Sequence, residues 1–170
     1  MITFGNKLDF AITLDPCFTR DDTKKWGWIV IWFGGIQFGY DQHLGCRPDL
    51  DRFWGLLNYE FSRSKSNPPW DFSGKPAGDI VDTLFKESLK PRPILGDYRF
   101  ILGCEGFDQF EAVTYRDAKT NLFSICWRLD PSMVEEMPSY PPGFHRFSCA
   151  YSILEAVVSE FEALGQINLS

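Results

Sequence analysis

Trp26-Gly-Trp-Ile-Val-Ile-Trp-Phe33 and its continuation Gly34-Gly-Ile-Gln-Phe-Gly-Tyr40 make fifteen consecutive uncharged residues. They read as two strands joined at Gly34-Gly35, because two glycines supply the positive φ angles that a two-residue hairpin turn requires. On the first arm Trp28, Val30 and Trp32 point one way and Ile29, Ile31 and Phe33 the other. Both faces are apolar, which predicts a strand covered on both sides, with Trp28 and Trp32 in the core. The second arm alternates, with Ile36, Phe38 and Tyr40 set against Gln37, Gly39 and Asp41. Upstream, Leu8, Phe10, Ile12 and Leu14 alternate with Asp9, Ala11, Thr13 and Asp15 as far as Pro16. That is the pattern of a half-buried strand, and it completes a three-stranded meander.

Downstream of the hairpin the period changes. Pro48 and Asp49 open a segment in which Leu50, Phe53, Trp54, Leu57 and Phe61 follow helical spacing, leaving Asp51, Arg52 and Glu60 for solvent. Asn67-Pro-Pro-Trp-Asp71 ends it, and Pro76 begins a shorter helix carrying Ile80, Val81, Leu84 and Phe85. Strands return at Tyr98, Phe100 and Leu102, at Glu111 to Arg116, and at Leu122 to Leu129, the last two joined by a hairpin loop over Asp117 to Asn121. A proline-rich surface loop through Pro131, Pro138, Pro141 and Pro142 precedes a short edge strand from Arg146 to Tyr151. Ser152-Ile-Leu-Glu155 then has the form of a capping box, opening a helix that Gly165 stops. The expected fold is α+β: a mostly antiparallel sheet, built from the meander and a later hairpin, packed with about three helices as a single domain over residues 1–170.

Composition and charge bound the function. Of 170 residues, 44% are apolar and 16% aromatic, which supports a real core and excludes disorder. A net charge of −6 argues against a nucleic-acid surface and for a basic partner. The five cysteines (Cys17, Cys46, Cys104, Cys126 and Cys149) lack CxxC spacing and read as reduced thiols of a cytoplasmic protein. No apolar run reaches the ~20 residues that span a bilayer, and no secretion signal is recognised, so no membrane association is expected.

Catalytic residue types are scarce. His43 and His145 are the only histidines, and neither has a second at ligand spacing. Asp49-Leu-Asp51 has the form of a DxD, but an aspartate at a helix start is explained by capping and by the helix dipole. Gly74-Lys-Pro76 is no phosphate loop, and neither GxGxxG nor GxSxG occurs. No cofactor or metal is expected. What folding does not absorb is charge: from Leu129 to Ser170 six acids (Asp130, Glu135, Glu136, Glu155, Glu160 and Glu162) face one base, Arg146, a net of −5. Glu105, Asp108 and Glu111 form a second acidic cluster. In or beside loops, Glu105, Asp108, Glu111, Asp130, Glu135 and Glu136 are the candidate partner-binding residues.

Met1-Ile-Thr-Phe-Gly5 with Phe10-Ala-Ile12, the hairpin Trp32-Phe-Gly-Gly-Ile-Gln37, Gly39-Tyr-Asp-Gln-His-Leu-Gly45 and the apolar helix after Leu50 resemble the bacterial immunity proteins of polymorphic and contact-delivered toxin systems, specifically the immunity protein 42 family. The resemblance spans about 60 residues and rests on glycines and aromatics, with no active-site signature; Ser66 to Pro93 and the proline-rich segment have no counterpart in it. It implies a small cytoplasmic protein without catalysis that binds the C-terminal toxin domain of its cognate toxin, a basic one such as a nuclease. Two other readings stay open: a small hydrolase or transferase using Cys104 or Asp49/Asp51, and a generic protein-interaction module.

Overall fold

The computed structural model describes residues 1–17, 26–39, 49–90, 97–103 and 105–167. Among them are seven strands in two antiparallel sheets and four α-helices, distributed over two compact units. The first unit comprises 1–59, 102–108 and 152–170, and the second 60–101 and 109–151.

The hairpin forms as its sequence dictates: Gly34 and Gly35 have φ of 59° and 84°, and the turn joins β3 (Trp26–Phe33) to β4 (Ile36–Phe38). β3 pairs with β2 (Phe10–Cys17), and β2 with a strand that the period-two pattern does not reveal, β1 (Ile2–Gly5), giving the order β1-β2-β3-β4. The sheet is therefore four-stranded, not three. β1 escapes notice because it is an edge strand in which only Phe4 is buried.

Register aligns one buried row across all four strands, Phe4 to Ile12 to Ile31 to Phe38. The helices of this unit cover that face through phenylalanine rings. Phe53 of α1 (Leu50–Ser66), Phe107 of α3 (Glu105–Asp108) and Phe161 of α4 (Tyr151–Ile167) connect Phe38 to Phe4 by centroid distances of 5.5–6.1 Å. The opposite face is less apolar in effect than in composition. Ile29, Ile31 and Phe33 are core, whereas Trp28, Val30 and Trp32 are only half-buried. Trp32 donates from Nε1 to Thr13 Oγ1 (3.0 Å) and carries the Lys7 ammonium 4.4 Å above its ring. The expectation that Trp28 and Trp32 are core is thus corrected: both indoles stay partly exposed, while their neighbours in the β2 register, Ala11 and Thr13, are buried. β2 is accordingly buried on both faces. Leu8, expected in that strand, lies in the preceding turn and is 81% exposed.

In the second unit β5 (Phe110–Arg116), β6 (Phe123–Leu129) and β7 (His145–Cys149) lie in the order β5-β6-β7. Ile80, Val81 and Leu84 of α2 (Ala77–Ser88) pack with Val113, Tyr115 and Cys126 on one face, and Phe61 of α1 meets Phe123 on the other. β6 is therefore buried on both sides, Ser124 and Cys126 as well as Phe123, Ile125, Trp127 and Leu129. Asp117 holds the hairpin loop, accepting at Oδ1 from the Lys119 and Thr120 amides and from Thr120 Oγ1. Burial alone would raise its carboxyl, but these hydrogen bonds prevail and hold it below the usual range.

Several expectations shift. Tyr98 to Leu102 is buried in alternation, and it exchanges ladder bonds with β5 (Phe100 N–H to Ala112 O, 2.9 Å; Thr114 N–H to Tyr98 O, 2.8 Å), yet only one bridge, Arg99 to Val113, forms. It is not a full strand. α4 begins at Tyr151, so Ser152 lies inside its first turn and is not the cap, and the helix runs through Gly165 to Ile167. Glu60, expected in solvent, is 4% exposed. Arg63, one turn further along α1, pairs with it.

Candidate functional site

The proline-rich segment between β6 and β7 is built as a chain of turns. Asp130 caps a 3-10 turn, Pro131–Met133, accepting from Ser132 N–H (2.8 Å) and Oγ–H (2.6 Å). Those bonds hold its carboxyl below the usual range, so it is ionised. Met137 N–H donates to Met133 O (3.0 Å) and Tyr140 N–H to Met137 O (3.0 Å), which continues the turns without a free helix end. Side chains then fasten the segment to the sheet. Trp127, wholly buried on β6, donates from Nε1 to Tyr140 Oη (2.8 Å); the Tyr140 ring stacks edge-on to Phe110 at 5.3 Å; and His145 Nε2 lies 3.0 Å from Pro141 O. Burial pushes the Tyr140 phenol up to about 12, slightly opposed by the Trp127 bond, so it stays neutral.

These turns enclose a groove of about 310 Å³, walled by Leu129, Pro131, Val134, Met137, Tyr140 and Pro141. Val134 is 53% exposed, which leaves an apolar side chain facing water. Glu135 and Glu136, between Val134 and Met137, are exposed.

The six candidate acids have different positions. Asp130, Glu135 and Glu136 gather on this segment. Glu111 stands opposite Arg128 in the β5/β6 register and is ion-paired with it at 2.5 Å, so its charge is largely answered within the sheet. Asp108 is exposed at the end of α3 in the first unit; of Glu105, also on α3, the side chain lies outside the described residues. For catalysis, Asp49 Oδ1 accepts from the Arg52 amide (3.3 Å), the expected cap. Cys104, His43 and the Asp51 side chain lie outside the described residues. Among the described residues no three His, Cys, Asp or Glu side chains converge as a metal site, and no helix is long and apolar enough to cross a membrane. The groove itself is what sequence reading misses. Prolines erase periodicity, and the signal left is Met133, Val134, Met137 and Tyr140 set among prolines and polar turn residues.

No family model and no curated protein matches the sequence. Among solved structures the chain is similar to CdiI from Burkholderia dolosa AUO158, with a TM-score of 0.57 at 13% identity, over 96% of this chain and 99% of that one. At that identity the likeness is one of fold. The narrower placement in the immunity protein 42 family rests on the sequence resemblance alone.

Proposed function

We propose that this chain is an immunity protein, which binds one cognate bacterial toxin domain and neutralises it by stoichiometric contact without catalysis. The observation that carries the reading is the shared fold, end to end in both chains, with CdiI, a contact-dependent inhibition immunity protein. Its support in the chain's own chemistry is the acidic loop after β6. The chain acts as one domain, since neither compact unit is a continuous stretch of sequence. It works in the cytoplasm, its partner is a basic domain such as a nuclease, and it binds neither nucleic acid nor membrane. The test is co-expression with the product of the adjacent gene, followed by titration of the purified toxin. Inhibition should saturate near equal molar amounts. Protection by strongly substoichiometric protein, lost on Cys104→Ala or His145→Ala in a folded variant, would demand an enzyme instead.

Opposite charges raise the encounter rate more than they deepen the final free energy, and salt screens that gain over ~8 Å at physiological strength. Changing both Glu135 and Glu136 to Lys should therefore slow toxin association at least about tenfold at low salt and far less at high salt. Both are exposed, so melting should hardly change. Surface plasmon resonance over a salt series checks this; an on-rate indifferent to both the substitutions and the salt would reduce the loop to a solvated face.

A further inference from the structure

The groove after β6 is lined mostly by apolar residues, and the loop that forms it carries three acids, Asp130, Glu135 and Glu136. Its two polar lining side chains are engaged: Arg128 with Glu111 and, 4.7 Å above the ring, with Phe144, and Tyr140 with Trp127. Each of Asp130, Glu135 and Glu136 neighbours a lining residue in sequence, so the rim is set by the same turns as the wall. Arg128 is the cation here, and Glu111, Asp82 and Asp130 all act on it. Three carboxylates therefore act on this one guanidinium, and Glu135 and Glu136 add two exposed acids on the same loop. An anion or a phosphate is repelled from such a rim, and so is a second copy of a chain carrying −6. A neutral apolar ligand fills the groove but gains nothing at its edge. A volume of about 310 Å³ is at the small end of ligand sites, suited to one or two side chains.

We propose that this groove takes an apolar side chain of the toxin, presented between lysines or arginines that meet Asp130, Glu135 and Glu136. This rests on the immunity reading for its source, while the chemistry of the groove stands apart from it. Aliphatic anchors in a preformed pocket with a charged rim concentrate binding energy at the pocket and specificity at the rim. The loop has little to order on binding, because prolines and the Trp127 bond already fix it.

The experiment has two arms. First, the full ¹⁵N-labelled chain is titrated with the capped pentapeptide Lys-Arg-Leu-Arg-Lys and, separately, with Glu-Asp-Leu-Asp-Glu. The basic peptide should shift the amides of Val134, Met137 and Gly143, with the acidic peptide at least about tenfold weaker, and Val134→Arg should weaken the basic peptide at least about tenfold with an unchanged melting temperature. Shifts elsewhere, or equal binding of the two peptides, overturn the proposal. Second, Val134→Arg enters the toxin titration. If the toxin is neutralised equally well by Val134→Arg and wild type, the immunity reading stands and the groove proposal falls. If the peptide docks as expected while no toxin is neutralised, the immunity reading falls and the groove's chemistry is upheld.

Discussion

Arg63→Met is expected to lower the unfolding free energy by about 3–5 kcal/mol at pH 7, and by clearly less at pH 5. Arg63 is the counter-charge held directly against Glu60, and its guanidinium also donates to the carbonyls of Asp97 and Arg99, with the Asp97 carboxylate at 3.7 Å. Methionine keeps much of the stem's packing but leaves a buried carboxylate without its counter-charge and the Arg99 carbonyl without the guanidinium, while Asp97 O keeps the Asn67 Nδ2 donor. Burial already raises the Glu60 carboxyl above 4.5, with Arg63 pulling it down; the variant loses that opposing pull, so the carboxyl rises further. The sign follows from linkage. An acid whose folded pKa lies above its unfolded value adds stability that is present below about 4.5 and is lost as pH rises through the folded value. The wild type shows this weakly and the variant strongly, so their gap narrows towards acid. Urea denaturation of both at pH 7 and pH 5 measures it. An equal deficit at the two pH values would mean that Glu60 does not feel Arg63, and a deficit below about 1 kcal/mol would mean that water replaces the arginine.

The six tryptophans are not equivalent, and two of them should differ by several kcal/mol. Trp127→Ala should cost about 3–5 kcal/mol, because the indole is wholly buried on the central strand of its sheet, 5.3 Å from the His145 ring, and its loss also removes the hydrogen bond to Tyr140. Trp32→Ala should cost no more than about 1–2 kcal/mol, since half-burial limits the area returned to water and one bond to Thr13 is lost. Chemical denaturation of both variants decides between them. Similar losses would show the outer face of the first sheet to be covered after all.

What could be read in the sequence was whatever repeats at a fixed period. The hairpin was legible because two apolar arms flank a glycine pair, and α2 because Ile80, Val81 and Leu84 recur at helical spacing. Three kinds of residue hid from such reading. Ile2 to Gly5 bury a single ring, too little for a period to appear. Glu60 looks like a solvent position because charge is usually exposed, although Arg63 three residues on was a signal that a pair had formed. Trp28 and Trp32 look like core because hydrophobicity does not say whether a second layer exists to cover a sheet. Of the candidate acids, exposure at Glu135 and Glu136 was foreseeable from their proline-rich surroundings, while the pairing of Glu111 depends on a cross-strand register with Arg128 that only the fold supplies.

The division of labour within the loop after β6 bears on how such a protein diversifies. Its backbone is tied down by Trp127, Tyr140 and His145, which belong to the sheet or touch it, whereas the side chains of Val134, Glu135 and Glu136 are exposed. Substitutions at the projecting positions alter shape and charge at almost no cost to folding, while the anchors keep the same turns in the same place. A lineage confronted with a changed adversary can then revise the words it presents without rewriting the grammar that holds them.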